Sequence, residues 1–390
     1  MSVLLNIVKK MDLETNKYKD FTLLVDGANA FYEIENCIMQ AKKSIHINMF
    51  IWRDDDIGNC LASLILSRAD NGVKVFISVD RYGVVLEKAE ENKLSFFHKE
   101  QSLIEKIKIT ALKTVYPKNN LVKTKKDAYT DIYKKIISHP NITIEKDVFK
   151  ADHSKFYIID DQILFLGGIN IEDKENGADL QGRVYQDYMV KICGKDYVQK
   201  FKDKIFNDKN FSDDYYYGVN VKKGKNKIFE MERLYLDLIN SADKELTIVM
   251  AYFSPIKKFI DAIICAHNRG VKVKIMIPKC ANFQNDSNYK TAKKLLKLSN
   301  GEIAVLLSPK MLHTKLIMSE KTLSFGSCNI TKKAFHQLSE LNLFLKNENC
   351  SIISEFRKSI EENALLCERI DSYEKIKFNK LLAVVESFLV

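Results

Sequence analysis

A layered α/β fold, present twice in one chain, is what this sequence predicts. Three observations predict it. Residues 41–50 read AKKSIHINMF and lead, past Asn71-Gly72, to VKVFISVD at 73–80. Residues 242–251 read ADKELTIVMA and lead, past Asn268-Arg269-Gly270, to VKVKIMI at 271–277. In both places an amphipathic helix, a Val/Ile-rich run, a second helix, a glycine turn and another Val/Ile-rich run succeed one another. Strands alternating with helices point to helices layered on largely parallel strands.

The first helix is read from Ala30, Phe31, Ile34, Cys37, Ile38 and Ala41, which share one face at helical spacing. Phe259, Ile260, Ile263, Ile264 and His267 mark its counterpart further on. The polar, turn-rich stretch SDDYYYGVNVKKGKNK sets a linker at 212–227, between a first domain at 1–211 and a second at 228–390. The first copy alone carries a lysine-rich, helical insertion at about 97–139. Tyr252 and Phe253, and Asp54 to Asp56, follow equivalent strands and are expected near a cleft mouth to read an acceptor group, with an ordinary core role as the alternative for the two aromatics.

The 390 residues carry a net charge of +10, which draws the chain to polyanions, either nucleic acid or anionic lipid headgroups. No apolar run approaches the roughly 20 residues that span a bilayer. Met1 to Lys10 puts its apolar patch before Lys9 and Lys10, the reverse of a secretory signal. A cytoplasmic protein, peripheral at the inner membrane face, is expected. The eight cysteines lie far apart without a CxxC pair, so a zinc site of the usual spacing is not expected. Buried, reduced thiols such as Cys265 are expected.

The chemistry lies in two motifs. One reads His153-Ser154-Lys155, FYII, Asp160, then Gly167-Gly168-Ile169-Asn170. The other reads His313-Thr314-Lys315, LIMS, Glu320, then Gly326-Ser327-Cys328-Asn329. One HxK in a lysine-rich chain is expected about once by chance; two copies in register with an internal repeat are not. Substitution at a phosphodiester needs a nucleophile, a proton donor for the leaving alkoxide, and positive charge around the equatorial oxygens. One neutral imidazole supplies the first and one protonated imidazole the second. Lys155, Lys315, Asn170 and Asn329 supply the third, in the electrostatic role of a metal. Neither a metal nor a cofactor is expected. Each histidine also needs a carboxylate on its other ring nitrogen. Asp187, in YQDY before the run MVKI, and Glu340, inside SELNLFL, are the candidates.

The paired motif and its G-G/S-x-N turn resemble the phospholipase D superfamily. HSKFYIIDDQILFLGGIN, QDYMVKICG, FIWRDDDIG and GVKVKIMIP resemble its bacterial cardiolipin synthase branch, in the form without N-terminal transmembrane helices. The resemblance covers about residues 20–360. It implies two similar domains with mixed, largely parallel sheets flanked by helices, related by a pseudo-twofold axis, with the active site at their interface. It also implies His153 as nucleophile and His313 as acid. Glu320 departs from the family's aspartate, and Gly168 from a serine. The aspartate position, Asp160 and Glu320 here, supports the fold more than the reaction.

The same core serves lipid synthases, phospholipases and nucleases. Both copies in one chain, the synthase-like segments and the insertion favour lipid. The insertion mixes Leu103, Ile104, Ile107, Ile109 and Leu112 with Lys106, Lys108, Lys113, Lys118, Lys123, Lys125 and Lys126, which suits an anionic bilayer surface. The expectation is a cardiolipin synthase-like phosphatidyltransferase acting between two phosphatidylglycerol molecules through a phosphohistidine, with release of glycerol. The alternative is a phospholipase D-type hydrolase or nuclease with water as acceptor, for which nucleic acid is a partner. A third reading, a non-enzymatic membrane-binding descendant, is opposed by two intact HxK motifs. The sequence gives no oligomeric state.

Overall fold

The computed structural model describes residues 20–91, 94–98, 100–113, 131–146, 150–179, 181–209, 214–223, 226–346 and 351–389. Met1 to Lys10, and Lys118 to Lys126 of the insertion, lie outside them.

Two mixed sheets repeat one order. The first runs Phe21–Val25, Tyr188–Cys193, Ile163–Gly167, Phe156–Ile159, Ser44–Met49, Lys74–Val79, Ile142–Glu145. The second runs Tyr215–Lys223, Glu340–Lys346, Thr322–Gly326, Lys315–Ser319, Glu245–Met250, Lys272–Pro278, Ala304–Ser308, with Asn226–Phe229 and Glu368–Ile370 added at its edges. Parallel pairing is confined in each sheet to the three strands that helices connect. The other pairings are antiparallel, a larger share than the sequence suggests. The reason is that each HxK strand turns back on itself at once, through Asp160-Asp161 or Glu320-Lys321, and a tight turn permits only antiparallel neighbours.

The helix faces read from the sequence are buried: Ala30, Phe31, Ile34 and Ile38 against the first sheet, and Phe259, Ile260 and Ile263 against the second. Between the sheets lies a third cluster to which both contribute. Leu164, Leu166 and Val190 share it with Leu316, Phe325 and Leu343, and with Phe201 and Phe356 of the helices Lys195–Asn207 and Ser351–Leu365. The late helix also reaches the first half directly, through Tyr188 Oη and Ser359 Oγ at 2.9 Å.

Two expectations are corrected. The stretch expected as a linker is a hairpin of Tyr215–Lys223 and Asn226–Phe229, and its first strand takes the place in the second sheet that Phe21–Val25 takes in the first. Lysine and glycine hid a period-2 pattern in which Tyr215, Tyr217 and Val219 point into the central cluster. Among the seven described cysteines, all free, only Cys37 and Cys328 are buried. Cys265 is exposed, on the outer side of a helix whose inner face is Phe259, Ile260, Ile263 and Ala266. Val219→Asp tests the hairpin. A carboxylate at this buried position is expected to destabilise the chain by about 3 kcal/mol or more, read by urea denaturation. A neutral result would return the segment to linker status.

Candidate active site

Each HxK strand is entered through a short parallel junction with the other half. Asp152 bridges Ser339, and the His153 amide donates to the Ser339 carbonyl at 2.8 Å. Met311–Leu312 pairs with Tyr185–Gln186, and the His313 amide donates to the Gln186 carbonyl at 2.8 Å. The residue after each acceptor is a carboxylate. His153 Nδ1 lies 3.1 Å from Glu340 Oε2, and His313 Nδ1 lies 3.1 Å from Asp187 Oδ2. The carboxylate of each half therefore serves the histidine of the other. With Nδ1 engaged, Nε2 is left to face a substrate on both rings.

Lys155 and Lys315 are buried, and each donates to the carbonyl of the histidine two residues before it. Asn170 and Asn329 are buried as well. Asn170 Oδ1 has no hydrogen-bond partner, and Asn329 Oδ1 accepts from the Tyr252 amide at 3.2 Å. Phe50 packs edge-on against His153 with centroids 4.7 Å apart, and Tyr185 and Tyr252 stand 6.0 and 6.3 Å from His313.

The G-G/S-x-N turns differ in a way the side chains explain. Ser327 Oγ donates to Glu340 Oε2. At Gly168 a Cβ would lie 2.2 Å from Asp187 Oδ2, so no serine fits beside this carboxylate. Asp160 and Glu320 lie away from the histidines. Asp160 accepts from the amides of Lys42, Lys43 and Ser44 at 2.8, 2.7 and 2.9 Å. Glu320 does the same for Asp243, Lys244 and Glu245 at 2.9, 3.3 and 3.3 Å. Both pin the turn before the neighbouring parallel strand, and the longer glutamate reaches the same amides.

The sequence reading missed Glu175, whose Oε1 is 3.3 Å from His313 Nδ1. Glu175, Asp187 and His313 bring one ligand-type atom each to within 4.8 Å of one another. Beside them runs a buried ionic network. Glu90 binds Arg53 at 2.9 Å and Lys174 and Asn282 at 2.7 Å, and Arg53 and Lys174 both reach Glu172. No spacing rule connects these residues, so only the fold reveals them. Asp54 to Asp56 do not line the cleft. Asp55 caps the helix Asp56–Asp70 and accepts from the Asp173 amide, while Asp54 binds Asn59. Phe253 is core, whereas Tyr252 does face the site.

His153 opens onto a narrow cavity of about 60 Å³ lined by Phe50, Leu86, Tyr252, Phe283, Leu338 and Lys333. Lys333, Tyr82 and Leu338 also line the adjoining cavity of about 420 Å³, with Lys222, Lys227 and His336. A larger cavity, about 650 Å³ between the sheets, touches neither imidazole.

Burial dominates the electrostatics. It pushes both imidazoles well below their ordinary range, and Lys155 and Lys315 add to the effect. Burial and Lys315 together bring Lys155 down to about 7. Burial raises Asp187 to about 7 and Glu340 to about 8, against the pull of the lysines. Ionisable groups packed this far from water are driven toward their neutral forms.

Residues 34–208 and 235–363 match the family described as "Cardiolipin synthase, PLD-like domain". A cardiolipin synthase of Clostridium perfringens (strain 13 / Type A) is 25% identical over 391 residues, spanning 91% of this chain and 73% of that protein. The minor cardiolipin synthase of Bacillus subtilis (strain 168) is 24% identical over 364 residues, with 90% and 82% covered. The crystal structure of a phosphatidylserine synthase from Haemophilus influenzae Rd KW20 superposes with a TM-score of 0.67 over 97% of this chain and 96% of that one. At 13% identity it speaks for the fold.

As pH rises through 7 and 8, Lys155 loses its positive charge while Asp187 and Glu340 become negative, so the site turns against anions. KM for a soluble, short-chain phosphodiester is expected to rise between pH 6.5 and 8.5, by up to about tenfold per pH unit for each linked proton. A flat KM over that range would contradict the assigned charges.

Proposed function

The chain belongs to the cardiolipin synthase, phospholipase D-like family of phosphatidyltransferases, and we propose that it transfers a phosphatidyl group from one phosphatidylglycerol to another through His153. In the first half-reaction His153 Nε2 attacks phosphorus, the bond to the glycerol oxygen breaks, and His313 gives that oxygen its proton. Glycerol leaves and a phosphohistidine remains. In the second, His313 takes the proton of the acceptor's hydroxyl as its oxygen attacks phosphorus. The P–N bond breaks, and cardiolipin and both starting imidazoles result. Lys155, Lys315, Asn170 and Asn329 hold the phosphate oxygens, and Glu340 and Asp187 fix the tautomers. Burial pushes His313 toward its neutral form, so the phosphodiester anion supplies the charge that lets it carry a proton.

One observation carries the choice of lipid over nucleic acid. The way to His153 is narrow and lined by Phe50, Leu86, Phe283 and Leu338, with Lys333 on its wall. Apolar side chains at the mouth favour an acyl chain over a polynucleotide, and Lys222, Lys227 and Lys333 of the adjoining cavity favour the phosphate of the same lipid. With phosphatidylglycerol liposomes, cardiolipin and free glycerol are the expected products. Phosphatidic acid alone would make the enzyme a lipase, and cut single-stranded DNA would make it a nuclease. His153→Ala and His313→Ala are each expected to cost at least about 10²-fold in turnover while leaving the protein folded. Near-normal activity in either would rule out a shared site.

The substrate implies work at an anionic bilayer. No described helix is long and apolar enough to cross a membrane. The helix Leu103–Lys113 buries Ile109 and Leu112 against Val85, Ala89 and Phe283, and so backs Phe283 of the channel wall. Its other face leaves Leu103, Ile104 and Ile107 exposed at 75%, 66% and 63%, beside Lys106 and Lys108. A second exposed apolar face, Leu381, Val384 and Val385, lies on the helix Lys380–Leu389, which docks through Glu386 onto Gln284 and Ser287, next to Phe283. Both flank the channel. Replacing Leu103, Ile104 and Ile107 with Gln is expected to reduce co-sedimentation with anionic liposomes severalfold. Hydrolysis of a soluble short-chain phosphodiester is expected to persist. Undiminished co-sedimentation would move the docking surface elsewhere.

A further inference from the structure

Glu175 lies in the 3-10 turn Asp173–Asn176, five residues beyond Asn170. Gly27 lets this turn approach the first helix, since a Cβ there would stand 2.1 Å from the Glu175 carbonyl oxygen. The side chain is buried. Its Oε1 points at His313 Nδ1 from 3.3 Å and has no hydrogen-bond partner, while Asp187 Oδ2 faces the same nitrogen from 3.1 Å. A ring nitrogen carries one hydrogen and donates it to one of the two. Two carboxylates this close, both out of water, do not both ionise near neutral pH. Burial, with Glu172 and Asp187 as like-charged neighbours, holds Glu175 well above its ordinary range. Lys174 on the same turn, Lys315 and Lys155 on the HxK strands, Asp26 beyond Asp187, and His153 across the cleft complete the charged surroundings.

The other histidine is built differently. Glu340 takes a hydroxyl donor from Ser327, and the salt bridge to His153 Nδ1 involves Glu340 alone among the described residues. The corresponding turn residue, Gly168, offers Asp187 no hydroxyl and has no room for one. A second carboxyl stands beside His313 instead.

We infer that Glu175 is a second positioning carboxylate for His313, sharing one proton with Asp187, so that His313 keeps an anionic partner when either carboxyl is neutralised. The two histidines then differ in what they tolerate. His153 has one carboxylate, Glu340, and the other acceptor facing its Nδ1, the Ser327 carbonyl oxygen at 3.1 Å, carries no charge. His313 has two groups that can each hold the charge, and the proton between them moves to whichever oxygen leaves the other free to accept Nδ1–H.

This deepens the acid–base role proposed for His313 and rests on it in the kinetic arm alone. The full chain, labelled with ring-¹⁵N histidine, is compared as parent, Asp187→Asn, Glu175→Gln, the double variant and Glu340→Gln. The downfield Nδ1–H signal of His313, assigned by its loss in His313→Ala, is expected to survive both single changes and vanish in the double. That of His153 is expected to move upfield in Glu340→Gln alone, because only the neutral Ser327 carbonyl then accepts from Nδ1. Turnover of a short-chain phosphodiester is expected to fall less than about tenfold in Asp187→Asn. In the double it is expected to fall toward the roughly 10⁴-fold loss of a triad stripped of its carboxylate. If Asp187→Asn by itself loses the His313 signal and as much activity as the double, Glu175 is no partner and the inference fails. The contrast between folded Asp187→Asn and Glu340→Gln decides even where the double variant does not fold. The NMR signals are read without turnover, so a failure to make cardiolipin would overturn the proposed function and leave this result standing.

Discussion

Each half of this protein completes the other's histidine. His153 hangs its amide on Ser339 and its ring on Glu340, and His313 hangs its amide on Gln186 and its ring on Asp187. Both the backbone bond and the carboxylate come across the interface, from adjacent residues. A shift of either half would break both together. The central cluster, in which Leu164, Leu166 and Val190 meet Leu316, Phe325 and Leu343, is therefore more than a core. It sets the register of the two imidazoles, and its close packing leaves that register little freedom. The late helix Ser351–Leu365, lodged against the first half through Tyr188 and Ser359, ties the same joint from outside.

That joint imposes an electrostatic cost. Two lysines, two imidazoles and three carboxyls are packed where water hardly reaches. Lys155 sits at about 7, Asp187 at about 7 and Glu340 at about 8, each drawn toward neutrality by burial first of all. A phosphodiester anion would relieve this. Its charge stabilises the lysinium forms and an imidazolium at once, so substrate brings the charge state that the proposed chemistry needs. Donors already aimed at the phosphate need not reorganise when charge develops there.

Much of this was legible in the sequence because it is local. The histidine, lysine and asparagine of each motif lie within 18 residues of one another, and the helices declare themselves by apolar spacing. Asp160 and Glu320 could be read as supports, and each holds three backbone amides. What escaped was non-local or masked. Asp187 and Glu340 could be named, but the crossing of each to the other half's histidine needs the interface. Glu175 hides in DKENG, a polar run that reads as a surface turn and is buried because Gly27 admits it. The strand Tyr215–Lys223 was obscured by its lysines and glycine, although its tyrosines alternate with the period of a strand. Asp54 to Asp56 looked like cleft residues by position and turned out to cap a helix and pair with Asp173.

The insertion in the first half is where the duplicated scaffold departs most from its own repeat. The second copy passes from Lys272–Pro278 to Ala304–Ser308 with one helix, Asn285–Leu298, between them. The first places the helices Gly83–Glu91 and Leu103–Lys113 in the same interval, ahead of Asp131–Ser138. The added pair is fastened below by Glu90, which burial pushes up but Lys174 and Arg53 hold at about 2, and by the Arg81–Glu105 ion pair at 2.8 Å. Fastened there, it presents Leu86 to the channel and leaves Leu103, Ile104 and Ile107 to the outside. One helix pair thus narrows the approach to His153 with apolar side chains and turns an apolar, lysine-flanked edge outward. A hydrolase of soluble phosphodiesters needs neither feature. The proposed lipid substrate would use both, on the same side of the cleft, where Phe283 packs against Val85, Ala89, Ile109 and Leu112.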